Sequence, residues 1–266
     1  MLSLFDKPFV SSRRQVLAST CGGAWALLAS GCGTRPRAPV VVTSPPNLPS
    51  DAPGIPLPPM VGFETNNSAW HVFNVPGQRS TRYESTTKLG KPCVAATSER
   101  AISSLQYRKA REMAGLSKLR FSWLAEELIK DADLTDVDSD DSPVRIFLAF
   151  DGDHSRLSLR NRMLFDLAET LTNERPPFAT LQYVWENKLP IETVLRGNRS
   201  DRLQKIVVES GPTNLGRWLS YERDFRADFQ RAFGEAPGRM IGVGVITDGN
   251  SLGVTTRGWY GNIELV

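Results

Sequence analysis

Leu181-Gln182-Tyr183-Val184-Trp185-Glu186 places a large side chain at every second position, with Gln182, Val184 and Glu186 between. Leu119-Arg120-Phe121-Ser122-Trp123 repeats the device. Successive side chains of an extended chain point to opposite faces, so a period of two buries one face and leaves the other wetter. That is the habit of antiparallel sheets. Further strand-like runs lie at Trp70–Val75, Pro92–Thr97, Val144–Phe150, Leu203–Glu209, Met240–Thr247 and Gly258–Leu265, separated by Gly, Pro and Asp. Together they predict a mainly β fold, an antiparallel two-sheet β-sandwich or jelly roll.

Two segments read as helices that cover a sheet or close one end of the sandwich. In 161–171 the side chains of Met163, Leu164, Leu167, Ala168 and Leu171 share a face. In 218–233 Trp218, Tyr221, Phe225, Phe229 and Phe233 form a stripe, and Gly234 stands where a helix stop belongs. Such a stripe reads as a core-facing seam before it reads as a ligand box.

The 266 residues are 40% hydrophobic, 23% charged and 9% aromatic, the composition of a folded globular protein. A formal charge of +3 is too small for a nucleic-acid binder. Ser12-Arg13-Arg14-Gln15-Val16-Leu17 opens a short apolar run that ends at Leu28-Ala29-Ser30-Gly31-Cys32. A basic start, an apolar stretch too short to span a bilayer and small residues before a Cys are the pattern of an export signal. The paired Arg resembles a twin-arginine signal, and the end resembles a lipobox, with Ala29 where Leu is usual. Residues 1–31 are therefore expected to be removed, and Cys32 to carry the lipid that anchors the chain to a membrane. Gly33 after it resembles outer-membrane sorting. Loss of 1–31 takes away Lys7, Arg13, Arg14 and Asp6 and lowers the formal charge from +3 to +1, so attachment would rest on the lipid and not on a basic patch. Cys93, left without a partner, reads as a small buried hydrophobe.

Nine of the 18 prolines fall between Gly33 and Met60, so this stretch cannot make a helix or an inner strand. As polyproline II its reach is on the order of 85 Å. The expected organisation is a signal at 1–31, an acylated Cys and Pro-rich tether at 32–60, and one sandwich domain at 61–266.

No spacing names a reaction. G-x-S-x-G, H-E-x-x-H, G-x-x-x-x-G-K-[ST] and paired Cys at zinc spacing are absent, and Gly242-Val243-Gly244 lacks the third glycine of a dinucleotide fingerprint. Nothing points to a nucleotide or a nucleic acid. Asp136, Asp138, Asp140, Asp141 and Asp153 offer hard oxygens, and a loop calcium site is the metal reading against a solvated acidic turn. An EF-hand is excluded, because Asp141 and Phe147 stand where it needs Gly and Glu. Arg145 lies in an apolar strand near Asp151 and Asp153 and, if inward, must be paired. Trp185-Glu186-Asn187-Lys188 and Trp259-Tyr260-Gly261-Asn262 each set an aromatic ring beside hydrogen-bonding groups. Trp185, Asn187, Lys188, Trp259, Tyr260 and Arg145 are thus the ligand-binding candidates. For a glycan hydrolase or lyase, Glu186 and Asp151 are the acids to test as a pair.

Several motifs carry a family resemblance: Asp141-Ser142-Pro143-Val144-Arg145-Ile146 with Phe150-Asp151-Gly152-Asp153, Tyr183-Val184-Trp185-Glu186-Asn187-Lys188, Lys205-Ile206-Val207-Val208-Glu209-Ser210-Gly211, Asp228-Phe229-Gln230-Arg231-Ala232-Phe233-Gly234, and Ile246-Thr247-Asp248 with Trp259-Tyr260-Gly261. Over roughly residues 70–266 they resemble the bacterial family known as domain of unknown function 3047. The resemblance implies an envelope-attached or secreted sandwich like concanavalin-like or galactose-binding-like domains, and it implies no reaction and no catalytic residues. The sequence thus leads to a periplasmic lipoprotein that binds an envelope polysaccharide or other component without catalysis. The alternatives are a glycan-acting enzyme on the same sandwich and a structural protein with a protein partner.

Overall fold

The computed structural model describes residues 55–65, 68–108 and 116–266. The expected signal, Cys32 and the tether up to residue 54 lie outside the described residues. Two seven-stranded sheets pack face to face. The first holds β1 (Ile55–Pro56), β3 (Arg82–Lys88), β4 (Lys91–Glu99), β6 (Lys118–Ala125), β11 (Leu219–Asp224), β13 (Thr255–Tyr260) and β14 (Glu264–Leu265). Its order is β1-β14-β6-β13-β4-β3, with β11 also on β6. The second holds β2 (Trp70–Asn74), β5 (Ser103–Tyr107), β7 (Ser142–Phe150), β8 (Ala179–Glu186), β9 (Val194–Arg196), β10 (Leu203–Ser210) and β12 (Met240–Asp248), in the order β2-β5-β12-β7-β8-β10-β9.

The alternation does what its period requires. Leu181, Tyr183 and Trp185 of β8 face Leu119, Phe121 and Trp123 of β6 in one core. Phe121 stacks on Tyr183 at 5.7 Å between ring centres, and Trp123 meets Trp185 at 6.5 Å. Val144, Ile146, Leu148 and Phe150 of β7 join the same core, which leaves Arg145, Phe147 and Ala149 on the outer face. Each large apolar side chain so buried stabilises the fold by about 1.5–3 kcal/mol.

The sheets are not wholly antiparallel. β10 runs parallel to β8, with Ile206 opposite Tyr183. Parallel neighbours cannot be joined by a tight hairpin, so the chain crosses over through residues 187–202, which include β9. Leu189 and Leu195 of this crossover pack with Leu134 over Val184 and Val207 on the outer face.

Three expectations change. The aromatic stripe from Trp218 is not one helix, since Leu219–Asp224 pairs with β6 and only α2 (Phe225–Phe233) is helical. Asp224 starts it by accepting from the amides of Arg226 and Ala227, and Gly234 ends it in the left-handed region at φ 73°. α1 (Leu159–Thr172) forms as expected but buries Asn161 and Phe165, while Met163, Leu167 and Leu171 are exposed. The sandwich also begins before residue 61. Ile55 pairs with Leu265, Leu57 and Met60 are buried, and the Trp70 indole donates to the Pro58 carbonyl at 2.7 Å. Pro56 is tolerated because β1 is an edge strand.

Candidate functional site

The parity that fills the core also decides what the outer face of the second sheet presents. The register sets His71, Gln106, Gly244, Phe147, Gln182 and Lys205 side by side, one from each of β2, β5, β12, β7, β8 and β10. At about 4.8 Å between strands this row is on the order of 24 Å long. Its centre is shaped by glycine: a Cβ on Gly244 would lie 2.5 Å from Cε1 of Phe147, so the ring occupies the space that a side chain there would need.

Two hollows adjoin along this face and share Val75, Ile102, Gln182 and Ile246. The first has a volume of about 360 Å³ and a floor that includes Phe147, Ala149, Thr180 and Gly242. Phe73 and Ile102 line one side of it, and Ala168 of α1 and Pro177 another. The second, of about 240 Å³, is polar and is built over Arg145, Asp140, Asp248 and Lys205.

These four charges form a buried network. Arg145 grips Asp248 with two hydrogen bonds, Nε to Oδ1 at 2.8 Å and Nη2 to Oδ2 at 3.0 Å, and both residues are about 4% exposed as side chains. Its Nη1 and Nη2 also donate to Asp140 Oδ1 at 3.1 Å, and Nη1 to Gln182 Oε1 at 3.5 Å. Lys205 donates to the other Asp140 oxygen, Oδ2, and to the Leu134 carbonyl at 3.3 Å. Burial pushes the Asp248 carboxyl up to about 6 against the pull of Arg145. Burial also acts upward on Asp140, but Arg145 and Lys205 more than offset it and hold that carboxyl below the usual range. Burial, with Arg145 adding to it, lowers the Lys205 ammonium.

The residues expected to bind ligand are mostly elsewhere. Trp185 is in the core with its indole donating to the Gly211 carbonyl at 3.1 Å, because its parity faces the other sheet. Trp259 is on the outer face of the first sheet, 2% exposed, with Lys88 and Arg257 over its ring. Tyr260 is buried and donates to the Ile246 carbonyl at 2.5 Å. Asn187 ties down a loop through the carbonyls of Ile129 and Ala132, and exposed Lys188 pairs with Asp133 at 2.9 Å. Arg145 lines the polar hollow, and its partners are Asp140 and Asp248, not Asp151 or Asp153; Trp259 lines a separate hollow of about 440 Å³ on the first sheet, with Glu126, Leu128 and Arg257.

The acid pair fails on geometry. Arg145 lies opposite Val184 and Phe150 opposite Ala179, so Glu186 and Asp151 flank opposite ends of β7 and β8. Eight residues of strand put them roughly 26 Å apart, beyond the ~9.5 Å at which two carboxyls share a glycosidic bond. Asp151 pairs instead with Arg239 at 3.2 Å, and Glu186 is buried, accepting from the Lys188 amide.

The acidic cluster is dispersed too. Asp141 accepts from the amides of Ser251 and Leu252, Asp136 from that of Asp138, and Asp153 caps a turn beyond the far end of β7. Among the described residues no three His, Cys, Asp or Glu side chains converge as a metal site.

Gln106, Phe147, Gln182, Lys205 and Asp248 were not singled out by sequence. The signal lay in the alternation itself: in β7 and β8 the members between the core-facing ones, Arg145, Phe147 and Gln182 among them, face outward.

No curated protein matches the chain. Among solved structures it has a distant likeness to the xyloglucanase domain of NopAA, a type three effector from Sinorhizobium fredii in complex with cellobiose. The two share 8% identity over 76% of this chain and 99% of that one, with a TM-score of 0.36. The model of the family described as protein of unknown function DUF3047 matches residues 68–264, which span both sheets, both helices and both hollows, and the chain belongs to that family.

Proposed function

We propose that the protein is an envelope lipoprotein, exported by a twin-arginine-like signal and anchored through Cys32, most simply to the outer membrane. Its sandwich binds a saccharide or other envelope component in the groove across the second sheet, without catalysis. The observation that carries this reading is the pair of adjoining hollows, about 360 and 240 Å³, along a row that includes Gln106, Gln182 and Lys205. Concave, partly apolar sites with a few fixed polar groups are where small ligands bind. The rigid network beneath Gln182 holds the polar groups in place before a ligand arrives, which lowers the cost of ordering them.

A thermal-shift screen of the full-length chain against envelope saccharides, calcium and chelator tests it. A ligand at 100 times its dissociation constant adds about 2.7 kcal/mol, or roughly 5–10 °C for a domain of this size. Gln182→Ala should weaken that shift. No shift with any saccharide would move the reading to a protein partner, which the exposed stripe Leu159, Met163, Leu167 and Leu171 on α1 favours as second choice. Crosslinking in the envelope then decides.

A further inference from the structure

The two hollows differ in chemistry, and that difference restricts the ligand further. The first is walled by carbon: Phe73, Val75, Ile102, Phe147, Pro176 and Pro177. A sugar ring placed there would bury hydroxyls with few partners, and each group left unsatisfied counts against binding. The second hollow is polar, but its inner charges are already matched, Arg145 and Lys205 against Asp140 and Asp248. Arg199 stands exposed at its rim, and the Asn250 amide oxygen, also in its lining, is buried without a hydrogen-bond donor among the described residues. The rest of the hollow's lining includes Gln182, Asn198, Ser200 and Ser251, side chains that can exchange hydrogen bonds with a hydroxyl-bearing head.

We infer that the ligand is an uncharged amphiphile, with an alkyl or acyl chain in the first hollow and a hydroxyl-bearing head in the second. An acylated saccharide or an alkyl glycoside has this form. The inference rests on the saccharide reading of the groove and specifies its substrate class. The two hollows lie side by side, with Gln182 and Ile246 in the lining of both, so that a molecule laid across these two residues would reach into each. Small residues keep the first hollow open: a Cβ on Gly242 would have its closest contact at 3.3 Å, with the Tyr107 carbonyl oxygen, and Ala149 contributes a methyl group and no more.

Calorimetric titration of the full-length chain with hexyl, octyl and decyl glucosides, below micelle formation, tests the inference. Free cellobiose and alkyl phosphates of matched length are run beside them. Affinity should tighten about fourfold for each methylene that enters the hollow. Ala168→Trp, which projects a ring into the same space from α1, should flatten that slope, and Thr172→Trp is the second variant if the first does not fold. Equal affinity for cellobiose and all three glucosides would overturn the inference and leave the saccharide reading standing. Tighter binding of the matched alkyl phosphates would overturn the uncharged head. No binding by any of these ligands would overturn both.

Discussion

Replacing Arg145 with Met removes the cation that holds the floor of the polar hollow. Asp248 then keeps only the Ser142 amide at 3.2 Å, whereas Asp140 retains Lys205 and the Asn198 amide. Breaking a buried pair in this way costs about 3–5 kcal/mol, because the remaining charge stays buried without compensation. At roughly 2–4 °C per kcal/mol for a domain of this size, the melting temperature should fall by about 6–20 °C. The pH dependence gives a second, sharper readout. The Asp248 carboxyl is at about 6 with Arg145 in place, and without that cation it goes higher. An unfolded Asp titrates at about 3.9, so between the two values the folded variant binds a proton that the unfolded chain does not. Stability therefore rises as pH falls through that window, and the deficit of Arg145→Met should shrink between about pH 8 and about pH 5. Arg145→Met with Asp248→Leu should recover most of the loss at the higher pH, since neither charge is then stranded. Melting curves at the two pH values measure all three. A deficit below about 1 kcal/mol at the higher pH, or one that grows on acidification, would refute the network as described.

Gly244→Val should cost about 1–3 kcal/mol in chemical denaturation, because the new Cβ would stand 2.5 Å from Phe147 and 2.7 Å from the Leu105 carbonyl oxygen. The same change should abolish ligand binding in the groove by displacing the Phe147 ring. A chain that starts at Val61 loses the buried Leu57 and Met60 and should be less stable than one that starts before Ile55 by about 3–6 kcal/mol; equal melting temperatures would place those residues outside the core. Cys93 is fully buried and burial raises its thiol, so it should resist alkylation in the native protein and react once denaturant unfolds it, as mass spectrometry would show.

The sandwich was legible where strands alternate strongly, as in β6, β7 and β8. It was not legible in β3, whose Arg-Tyr-Glu-Ser-Thr-Thr-Lys carries one buried residue, Tyr83, because an edge strand with a wet outer face needs little apolar sequence. β11 was hidden for another reason. Trp218, Tyr221 and Phe225 fit a helical stripe as well as they fit the approach to a strand, and only pairing with β6 decides between them. Arg145 could be picked out as a buried cation, yet its partner Asp248 is 103 residues away in sequence and is brought beside it by β12 pairing with β7. The nearer acids, Asp151 and Asp153, were the wrong choice because a strand carries its own ends apart.

The same parity bears on catalysis. Bulk drew attention to Trp185 and Trp259, but Trp185 has the parity of the core, and Trp259 is packed on the outer face of the first sheet under Lys88 and Arg257. The carboxylates that line the two hollows of the second sheet are committed. Asp140 accepts from Arg145, Lys205 and Asn198, and Asp248 from Arg145 and the Ser142 amide. Glu174, on the rim of the apolar hollow, pairs with Arg108. A general base has to accept a proton from its substrate at hydrogen-bond distance, and a carboxylate whose oxygens already face guanidinium and ammonium groups is poorly placed to do so. These acids are instead suited to hold the floor rigid, and a rigid floor under Gln182 and Phe147 serves recognition. If hydrolytic activity toward a glycan is found in the purified chain and is lost on substituting Asp140 or Asp248 in a variant that still melts cooperatively, that assignment of roles is wrong.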